Sequence, residues 1–342
     1  MKSMIRIVAL LGAVSVSFTP IPAKAAQQGA KTPKGEAKSL LPVPKNKQEE
    51  AAYNEILNQS DPAGILQSSQ TFIEKYSTSP MMGKVYGRRM DAYLAANKFA
   101  EALDELEKVL AFNSKYLSDR TKEAEDKKSP LLAELQAANE LDELNYYRRI
   151  VDAAQGSNKV EVANFFGERI LQKIPNDFPT LLTVARLNAQ NPPKADKEKE
   201  EALDRAEMMG QLAVNYVVAV LNGPNRDRIT PEQKNEWSYR AHSLMGLIYN
   251  QQKHYEDAVK AYLVALDYKN NDGATYYYLG FAYYAQMKYE EAFDVILKSA
   301  FLKGPMEKYA REMLDQLYVA TKRDKATMEK DIQAAGERIG KS

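Results

Sequence analysis

The sequence predicts an all-α protein, an α-solenoid built from antiparallel helical hairpins. Two segments, residues 242–262 and 276–296, repeat one pattern of residue types at a spacing of 34 residues. The 342 residues include 21 tyrosines and only 16 glycines, which suits amphipathic helices better than a loop-rich or all-β fold. From about Gln48 onward, apolar residues recur with helical periodicity along almost the whole chain. These observations favour stacked helix pairs.

The first 25 residues are predicted to be a secretory signal peptide. Lys2 and Arg6 precede an apolar stretch over residues 7–18, and residues 23–25 (Ala-Lys-Ala) form a small-residue cleavage site. The apolar stretch is shorter than the ~20 residues that span a bilayer, so we expect cleavage before Ala26. The mature protein is then exported, periplasmic or extracellular, and soluble, without stable membrane insertion. An uncleaved membrane anchor is the alternative.

Residues 26–47 are predicted to be a disordered leader. They are rich in lysine, proline and alanine, and so few apolar residues cannot bury enough surface to offset the entropy of ordering. Helical hairpins are predicted over residues 48–128. Within them, Asp61 followed by Pro62 is a typical helix start, with an N-capping carboxylate and proline in the first helical position.

Weaker copies of the repeat pattern occupy the middle of the chain. One copy spans residues 86–106, after which the apolar rhythm lapses over residues 113–128, which we interpret as an insertion or a boundary between lobes. Degenerate helical repeats are predicted over residues 129–236, with a second weak copy at 147–163. The segment 230–233 (Thr-Pro-Glu-Gln) has the composition of a capping box and predicts the start of a long helix.

The two strong repeats lie in the last predicted region, residues 237–342. His-x2-Met-Gly-x2-Tyr over 242–249 and Ala-x3-Tyr over 258–262 return as Tyr-x2-Leu-Gly-x2-Tyr over 276–283 and Ala-x3-Ile over 292–296. The pattern resembles the tetratricopeptide repeat, which has an aromatic residue, a Leu-Gly pair, a tyrosine, a small alanine and a second large residue at this period.

The resemblance is clear over residues 237–320 and weaker over 80–112 and 144–190. It implies a right-handed superhelix in which the first helix of each hairpin lines the concave side. The charged segment over 324–339 is expected to form the capping helix, because the terminal unit of a solenoid must present a polar face to water.

An aromatic stripe on the concave side is the predicted binding surface. Over residues 274–285, the 3.6-residue period points four aromatic rings away from the partner helix of the hairpin. Tyrosine is common in binding surfaces because it combines a large area with a polar tip. Together with the matching positions of neighbouring repeats, the predicted partner-binding residues are Arg240, Leu244, Leu247, Asn250, Tyr277, Tyr278, Phe281, Tyr284, Lys308 and Arg311. The alternative is that these rings pack on the flanking helices.

An extended peptide with apolar side chains and a carboxylate would fit such a groove. Some tetratricopeptide proteins clamp a chaperone tail with lysine and asparagine residues. The matching positions here are Ser243, Leu247 and Tyr278, so that particular ligand is not expected.

Composition and motifs exclude several classes of function. The chain has no cysteine, which rules out disulfides, thiolate metal sites and cysteine catalysis. Without residues 1–25, 44 basic and 46 acidic residues remain, so no nucleic acid partner is predicted. The two histidines, His242 and His254, lack a metal-binding spacing, and no nucleophile or nucleotide motif occurs. No catalytic, cofactor or metal site is predicted.

The predicted function is that of an exported scaffold or adaptor that holds a partner polypeptide in its groove, as a monomer or weak oligomer. Two alternatives remain open at this point. The chain could be a self-associating structural protein of the envelope, or an accessory subunit of an envelope enzyme.

Overall fold

The computed structural model describes residues 40–123, 129–224 and 226–339. All regular secondary structure in these residues is helical, fourteen α-helices and two short 3-10 helices without a strand, which confirms the predicted all-α class. The described residues divide into two compact units, residues 40–153 and residues 154–339. The predicted signal peptide, and the predicted leader up to residue 39, lie outside the described residues.

The first unit contains five helices, the last of which continues into the second unit: α1 (Lys47–Asn58), α2 (Pro62–Lys75), α3 (Met82–Ala95), α4 (Phe99–Glu123) and α5 (Pro130–Gly156). Helix α3 packs on both α2 and α4. The residues just before α1 contact this unit, because Lys45 Nζ donates to Thr78 O at 2.7 Å and Tyr116 Oη donates to Leu40 O at 3.2 Å.

Helix boundaries in the first unit follow from local chemistry. Asp61 caps α2 as predicted, its Oδ1 accepting a hydrogen bond from Gly64 N at 2.8 Å. Helix α4 is continuous to Glu123, so the lapse in apolar rhythm after residue 113 does not interrupt the helix. In its last turns Arg120 Nη1 lies 3.0 Å from Glu123 Oε2, a pairing typical of a helix face exposed to water.

The second unit contains nine further helices, which contact one another in chain order from α6 to α13: α6 (Val160–Lys173), α7 (Phe178–Gln190), α8 (Asp196–Asn222), α9 (Pro231–Gln252), α10 (Tyr255–Tyr268), α11 (Gly273–Ala285), α12 (Tyr289–Phe301), α13 (Glu307–Ala320) and α14 (Met328–Gly336). Helix α14 packs on α12. The capping box predicted before α9 is present, with Gln233 N donating to Thr230 Oγ1 at 3.2 Å and Thr230 N donating to Gln233 Oε1 at 3.0 Å. No helix in the described ranges has a stretch long and apolar enough to cross a membrane.

The repeated glycines set the closest approach of the helices in two hairpins. A Cβ atom added to Gly246 of α9 would lie 2.5 Å from Tyr262 Cε1 of α10. The equivalent addition to Gly280 of α11 would lie 2.4 Å from Ile296 Cδ1 of α12. In both hairpins the glycine meets the large residue 16 positions later, so the two segments that repeat in sequence also repeat in packing.

One form of turn follows five helices, α3, α5, α9, α11 and α13. In each turn a residue in the left-handed conformation is followed by an amide N–H that donates to the carbonyl oxygen five residues earlier, at 2.8–3.0 Å. The left-handed residues have φ between 52° and 65° and are Asn97, Asn158, Lys253, Met287 and Lys322. The first two lie within the weak copies of the repeat, between the two helices of each hairpin, so those hairpins turn with the same backbone geometry as the strong ones.

An acidic residue of α12 links it to the chain just after α14. Asp294 lies 2.8 Å from Lys298 Nζ and, through its other oxygen, 2.8 Å from Arg338 Nη2. Partial burial raises the pKa of Asp294, but the hydrogen bonds and charges of Lys298 and Arg338 outweigh burial and bring the pKa below its ordinary value. The carboxylate form of Asp294 therefore favours the docked position of the C-terminal segment.

Candidate binding face

The first helices of successive hairpins in the second unit contact one another directly. Helix α9 packs on both α7 and α11, in addition to its contacts with α8 and α10. Helices α11 and α13 meet through side chains: the Tyr277 and Tyr309 ring centroids are 6.4 Å apart, and Tyr284 Oη donates to Gln316 Oε1 at 3.2 Å. We call α7, α9, α11 and α13 the first-helix row.

Four of the ten predicted partner-binding residues are buried within this row. Leu244 is 0 %, Leu247 5 %, Asn250 9 % and Tyr277 7 % exposed. These side chains are therefore part of the packing between helices and cannot form a surface for a partner. The alternative reading, that rings of the stripe pack on flanking helices, is correct for Tyr277.

The burial of Tyr277 has a simple cause in the surroundings of α11. One side of this helix, with Tyr276 and Leu279, packs in a cluster with Tyr262 of α10. The next side, with Tyr277, packs in a second cluster with residues of α12 and α13 such as Met313. Because both sides of α11 are covered, turning away from the partner helix of the hairpin does not bring a ring to solvent. Burial also raises the pKa of Tyr277 to about 12.

The other three predicted aromatic residues are half-buried and keep part of their surface open. The ring of Tyr278 stacks on Tyr262 at 6.4 Å with an interplanar angle of 15°. Phe281 meets Tyr255 edge to face at 6.3 Å. The Tyr284 ring lies 5.4 Å from Tyr289, and its hydroxyl reaches α13. Each ring therefore combines a packing role with a partly exposed edge.

The three predicted cations differ in how far they are already engaged. Arg240 is half-buried, and its Nε lies 2.5 Å from Glu236 Oε1. Arg311 is paired twice, with Glu307 at 3.3 Å and Glu329 at 2.5 Å. Lys308 is exposed, and its Nζ lies 3.9 Å from Glu312. Most of the positive charge predicted at the groove edges is thus balanced by neighbouring carboxylates.

Sequence reasoning missed Arg186 of α7, which lies among the residues of this face. Nearly every other residue of α7 is buried and most are apolar, including Leu181, Leu187 and Ala185. Arg186 itself retains some accessible surface, yet enough protein surrounds its guanidinium that burial lowers its pKa. A lone cation in an otherwise apolar helix was the signal that could have identified it.

Arg186 interacts electrostatically with residues from three other helices of the unit. These residues, with Arg186 itself, form what we call the Arg186 cluster: Arg186, Tyr239, Arg240, Tyr262 and Tyr278. Burial raises the pKa of all three tyrosines, so each stays a neutral phenol at physiological pH. The cluster therefore combines neutral hydroxyls with cations, on helices α7, α9, α10 and α11.

Hydrogen bonds fix the walls of the Arg186 cluster. Asn250 Nδ2 donates to Tyr262 Oη at 3.3 Å and to Tyr278 O at 3.1 Å, which ties α9 to α10 and α11. Tyr239 Oη lies 3.4 Å from Thr275 Oγ1, which links α9 to the start of α11. These contacts hold Tyr239, Tyr262 and Tyr278 in place among α9, α10 and α11.

A concavity lies on α8, α9 and α10. It has a volume of about 270 Å³ and is lined in part by His242, Asp257 and Lys260. The His242 ring stacks parallel to Tyr268 at 6.4 Å, and burial lowers the pKa of His242. Among the described residues, no group of three histidine or acidic side chains is arranged to hold a metal ion. His242 therefore has a packing role.

Comparison of the chain with known protein families and with curated proteins finds no match. The resemblance to the tetratricopeptide repeat accordingly rests on the residues that repeat in the sequence.

Proposed function

We propose that this chain is an exported adaptor of tetratricopeptide-like hairpins, a binding protein and not an enzyme, which holds another polypeptide on its first-helix row. The observation that carries the proposal is the first-helix row, whose members contact one another in succession. Partly exposed aromatic edges lie on two adjoining helices of the row, those of Tyr239 on α9 and of Tyr278, Phe281 and Tyr284 on α11. Enclosed aromatic and arginine side chains are the residues that contribute most to binding energy in protein interfaces.

The proposed architecture is a right-handed solenoid. Support comes from the recurrence of one turn geometry after five helices and from the equivalent glycine contacts of the two strong hairpins. Hairpins that close in the same way and stack in chain order generate a superhelix, because each unit is rotated relative to the previous one by a similar small angle. The first helices then lie on one side, which is the side proposed to bind.

Export of the protein is proposed from the composition of residues 1–25. N-terminal sequencing of the protein isolated from its source cells tests this step. We expect the mature chain to begin at Ala26 and to be recovered from the envelope or the medium. An N-terminus at Met1 in the cytoplasmic fraction would contradict export.

Site-specific photocrosslinking in the source cells tests the binding face. Glu312 of α13 is exposed, and its charge acts on Tyr277, so a photoreactive residue placed there borders the first-helix row. Asp204 of α8 is equally exposed but lies outside the row, and serves as the matched control position. We expect one defined polypeptide adduct from position 312 and none from position 204. Equal labelling from both positions, or no polypeptide adduct from position 312, would contradict the proposed face.

Self-association is the second candidate, and a specific observation favours it. Exposed apolar side chains are concentrated on α8 and α10, namely Met208, Leu212, Val218, Leu263 and Val264. Light scattering coupled to size-exclusion chromatography distinguishes the candidates. A dimer that Leu212→Glu converts to a monomer would favour self-association through this surface, whereas a monomeric wild-type chain would contradict it.

A further inference from the structure

We propose that helix α8 of one chain packs against α8 of a second copy, antiparallel and related to it by a two-fold axis at Asn215. The inference deepens the self-association candidate and rests on it, because it names the contacting helix, its direction and the centre of the contact. Helix α8 is not a member of the first-helix row, so the proposed contact does not use that row in either copy.

One side of α8 is open along the second half of the helix. The other side packs on α7 and α9, where residues such as Leu203, Met209 and Val217 are buried. The open side carries exposed residues at intervals of three and four, which places them in one stripe along the helix. We call this stripe the α8 seam, and its residues are Met208, Gln211, Leu212, Asn215, Val218, Ala219 and Asn222.

The α8 seam is uncharged although it faces water. No residue from Met208 to Asn222 carries a charge, in a chain of which 27 % is charged. Met208 is 58 %, Leu212 44 % and Val218 52 % exposed, so these side chains keep much of their apolar area in contact with solvent. Apolar residues at three- and four-residue intervals form the pattern along which a second helix packs. In the part of the chain that the structure describes, no helix covers this surface.

The absence of charge favours a second copy as the occupant. A charged residue close to a two-fold axis would oppose its own copy, and like charges in contact weaken association. The α8 seam avoids this repulsion, whereas a strongly acidic or basic partner would find no opposite charge on it. An amide both donates and accepts hydrogen bonds, so it is complementary to itself. The seam is therefore self-complementary in charge and in hydrogen bonding.

The extent of the uncharged stretch fixes the register of the two helices. Its middle residue is Asn215, and an antiparallel copy centred there places uncharged residues opposite uncharged ones from end to end. In this register Leu212 lies opposite Val218 of the second copy. A centre one turn nearer the N-terminus would place the exposed carboxylate of Asp204 opposite Val218 instead. That arrangement is unfavourable, because it desolvates a charge against an apolar side chain.

Asn215 has a free donor for a bond across the axis. Gln211 Nε2 donates to Asn215 Oδ1 at 3.1 Å within the helix, and both side chains are exposed. The Nδ2 group of Asn215 can then donate to Asn215 Oδ1 of the second copy. A polar pair of this kind at the centre of a helix contact specifies its register and the number of chains.

A hollow beside the α8 seam provides room for the opposing side chains. It has a volume of about 430 Å³ and is lined in part by Leu212, Tyr216 and Ala219. Helices pack by inserting the side-chain ridges of one into the grooves of the other. Because the seam has both a ridge at Leu212 and this hollow, a two-fold contact brings the ridge of each copy to the hollow of the other.

Cysteine crosslinking tests the axis directly. The chain has no cysteine, so a single substitution gives an unambiguous disulfide. Asn215→Cys should form a covalent dimer on mild oxidation, because a disulfide needs Cα atoms about 4–7 Å apart and only a residue near the axis comes so close to its own copy. Asp204→Cys is the matched control, since position 204 is exposed on the same helix but about three turns from the centre. Equal crosslinking of both variants, or none at position 215 in a dimeric protein, would overturn the proposal.

A charge exchange at the same position provides a second test that does not depend on disulfide geometry. Asn215→Asp and Asn215→Lys each place two like charges at the axis, so each variant alone should dimerise at least about tenfold more weakly than the wild type in sedimentation equilibrium. An equimolar mixture should recover the dimer, because opposite charges then meet. Leu57→Glu of α1 is the control for surface charge; Leu57 is 45 % exposed, close to Leu212, and this variant should dimerise like the wild type. A mixture that stays monomeric would refute a two-fold axis at Asn215.

The two levels of the proposal fail in different ways. A monomeric wild type would refute self-association and the α8 contact together. A wild-type dimer that none of the substitutions in the α8 seam weakens would retain self-association through another surface and refute the α8 contact alone. Neither result alters the adaptor proposal, which the adduct from position 312 tests.

Discussion

The tight packing of the repeated glycines makes a quantitative prediction about Gly246→Ala. The added methyl group would lie 2.5 Å from Tyr262 Cε1, and 2.6 Å and 2.7 Å from two further atoms of the same ring. The ring cannot move easily, because Tyr262 is 1 % exposed, accepts a hydrogen bond from Asn250 and stacks on Tyr278. Overpacking of this kind costs about 1–3 kcal/mol. Replacement of glycine by alanine within a helix returns about 1 kcal/mol.

We therefore expect Gly246→Ala to lose up to about 2 kcal/mol of unfolding free energy. For a folded unit of this size that corresponds to a fall of up to about 8 °C in the unfolding midpoint, measured by circular dichroism. Gly156→Ala is the matched control, because a Cβ atom at this last residue of α5 has no atom within 4 Å. Its midpoint should be unchanged or higher. If Gly246→Ala were as stable as Gly156→Ala, the ring of Tyr262 would not be pressed against the backbone of α9, and the repeated glycine would lose its structural explanation.

Three other predictions follow from the same packing. Tyr277→Ala should lose about 3–5 kcal/mol of unfolding free energy because the ring is buried, whereas Tyr284→Ala should lose about 1 kcal/mol or less. Urea denaturation compares the two variants, and similar losses would contradict the burial of Tyr277. Met287→Gly should gain up to about 1 kcal/mol of unfolding free energy, since glycine adopts φ 61° without strain, although it is more flexible in the unfolded chain. A lower melting temperature for this variant would count against a strained turn. The pKa of Asp294 is lower in the folded protein than in the unfolded chain, so its carboxylate stabilises the fold above the unfolded-state pKa. This stabilisation is lost as the pH falls through the folded-state pKa. Asp294→Asn should therefore be less stable than the wild type at pH 7 by up to about 1 kcal/mol, and equally stable in strong acid. A difference that persists in acid would exclude that linkage.

Helix starts and hairpin contacts were predictable because they depend on residues close together in sequence. Asp61 and Thr230 cap the helices that follow them, as their types and the adjacent prolines indicate. The contact between Gly246 and Tyr262 joins residues only 16 positions apart, within one hairpin. Such short-range features depend on the local steric and hydrogen-bonding preferences of nearby residues, and these can be inferred from a single sequence.

The assignment of faces on α11 did not anticipate the burial of Tyr277, because it considered too few neighbours. The period of 3.6 residues gives the direction in which each side chain points, but not how many sides of the helix are covered. The composition of α11 contained the missing information: no residue from Gly273 to Ala285 is charged. A helix that is apolar all round is buried, so Tyr277 belonged to the core. The same principle makes Arg186 conspicuous, because α7 is nearly as apolar and yet carries a cation.

The weak copies of the repeat show why degenerate hairpins escape sequence comparison. The left-handed position of the shared turn is occupied by asparagine twice, lysine twice and methionine once. What recurs is a hydrogen bond between backbone atoms, and almost any residue can supply its donor and acceptor. The geometry of the turn therefore recurs at positions where the sequence pattern is weak.

The helix that carries Arg186 is also the place where this regularity is broken. Helix α7 ends at Gln190 and is followed by Asn191, Pro192 and Pro193, without the left-handed turn that follows five other helices. Proline has no amide hydrogen to donate, so the bond that closes those turns cannot form at either proline. Departures from a local pattern are typical of functional sites, where stability is given up for an interaction that the chain alone does not complete.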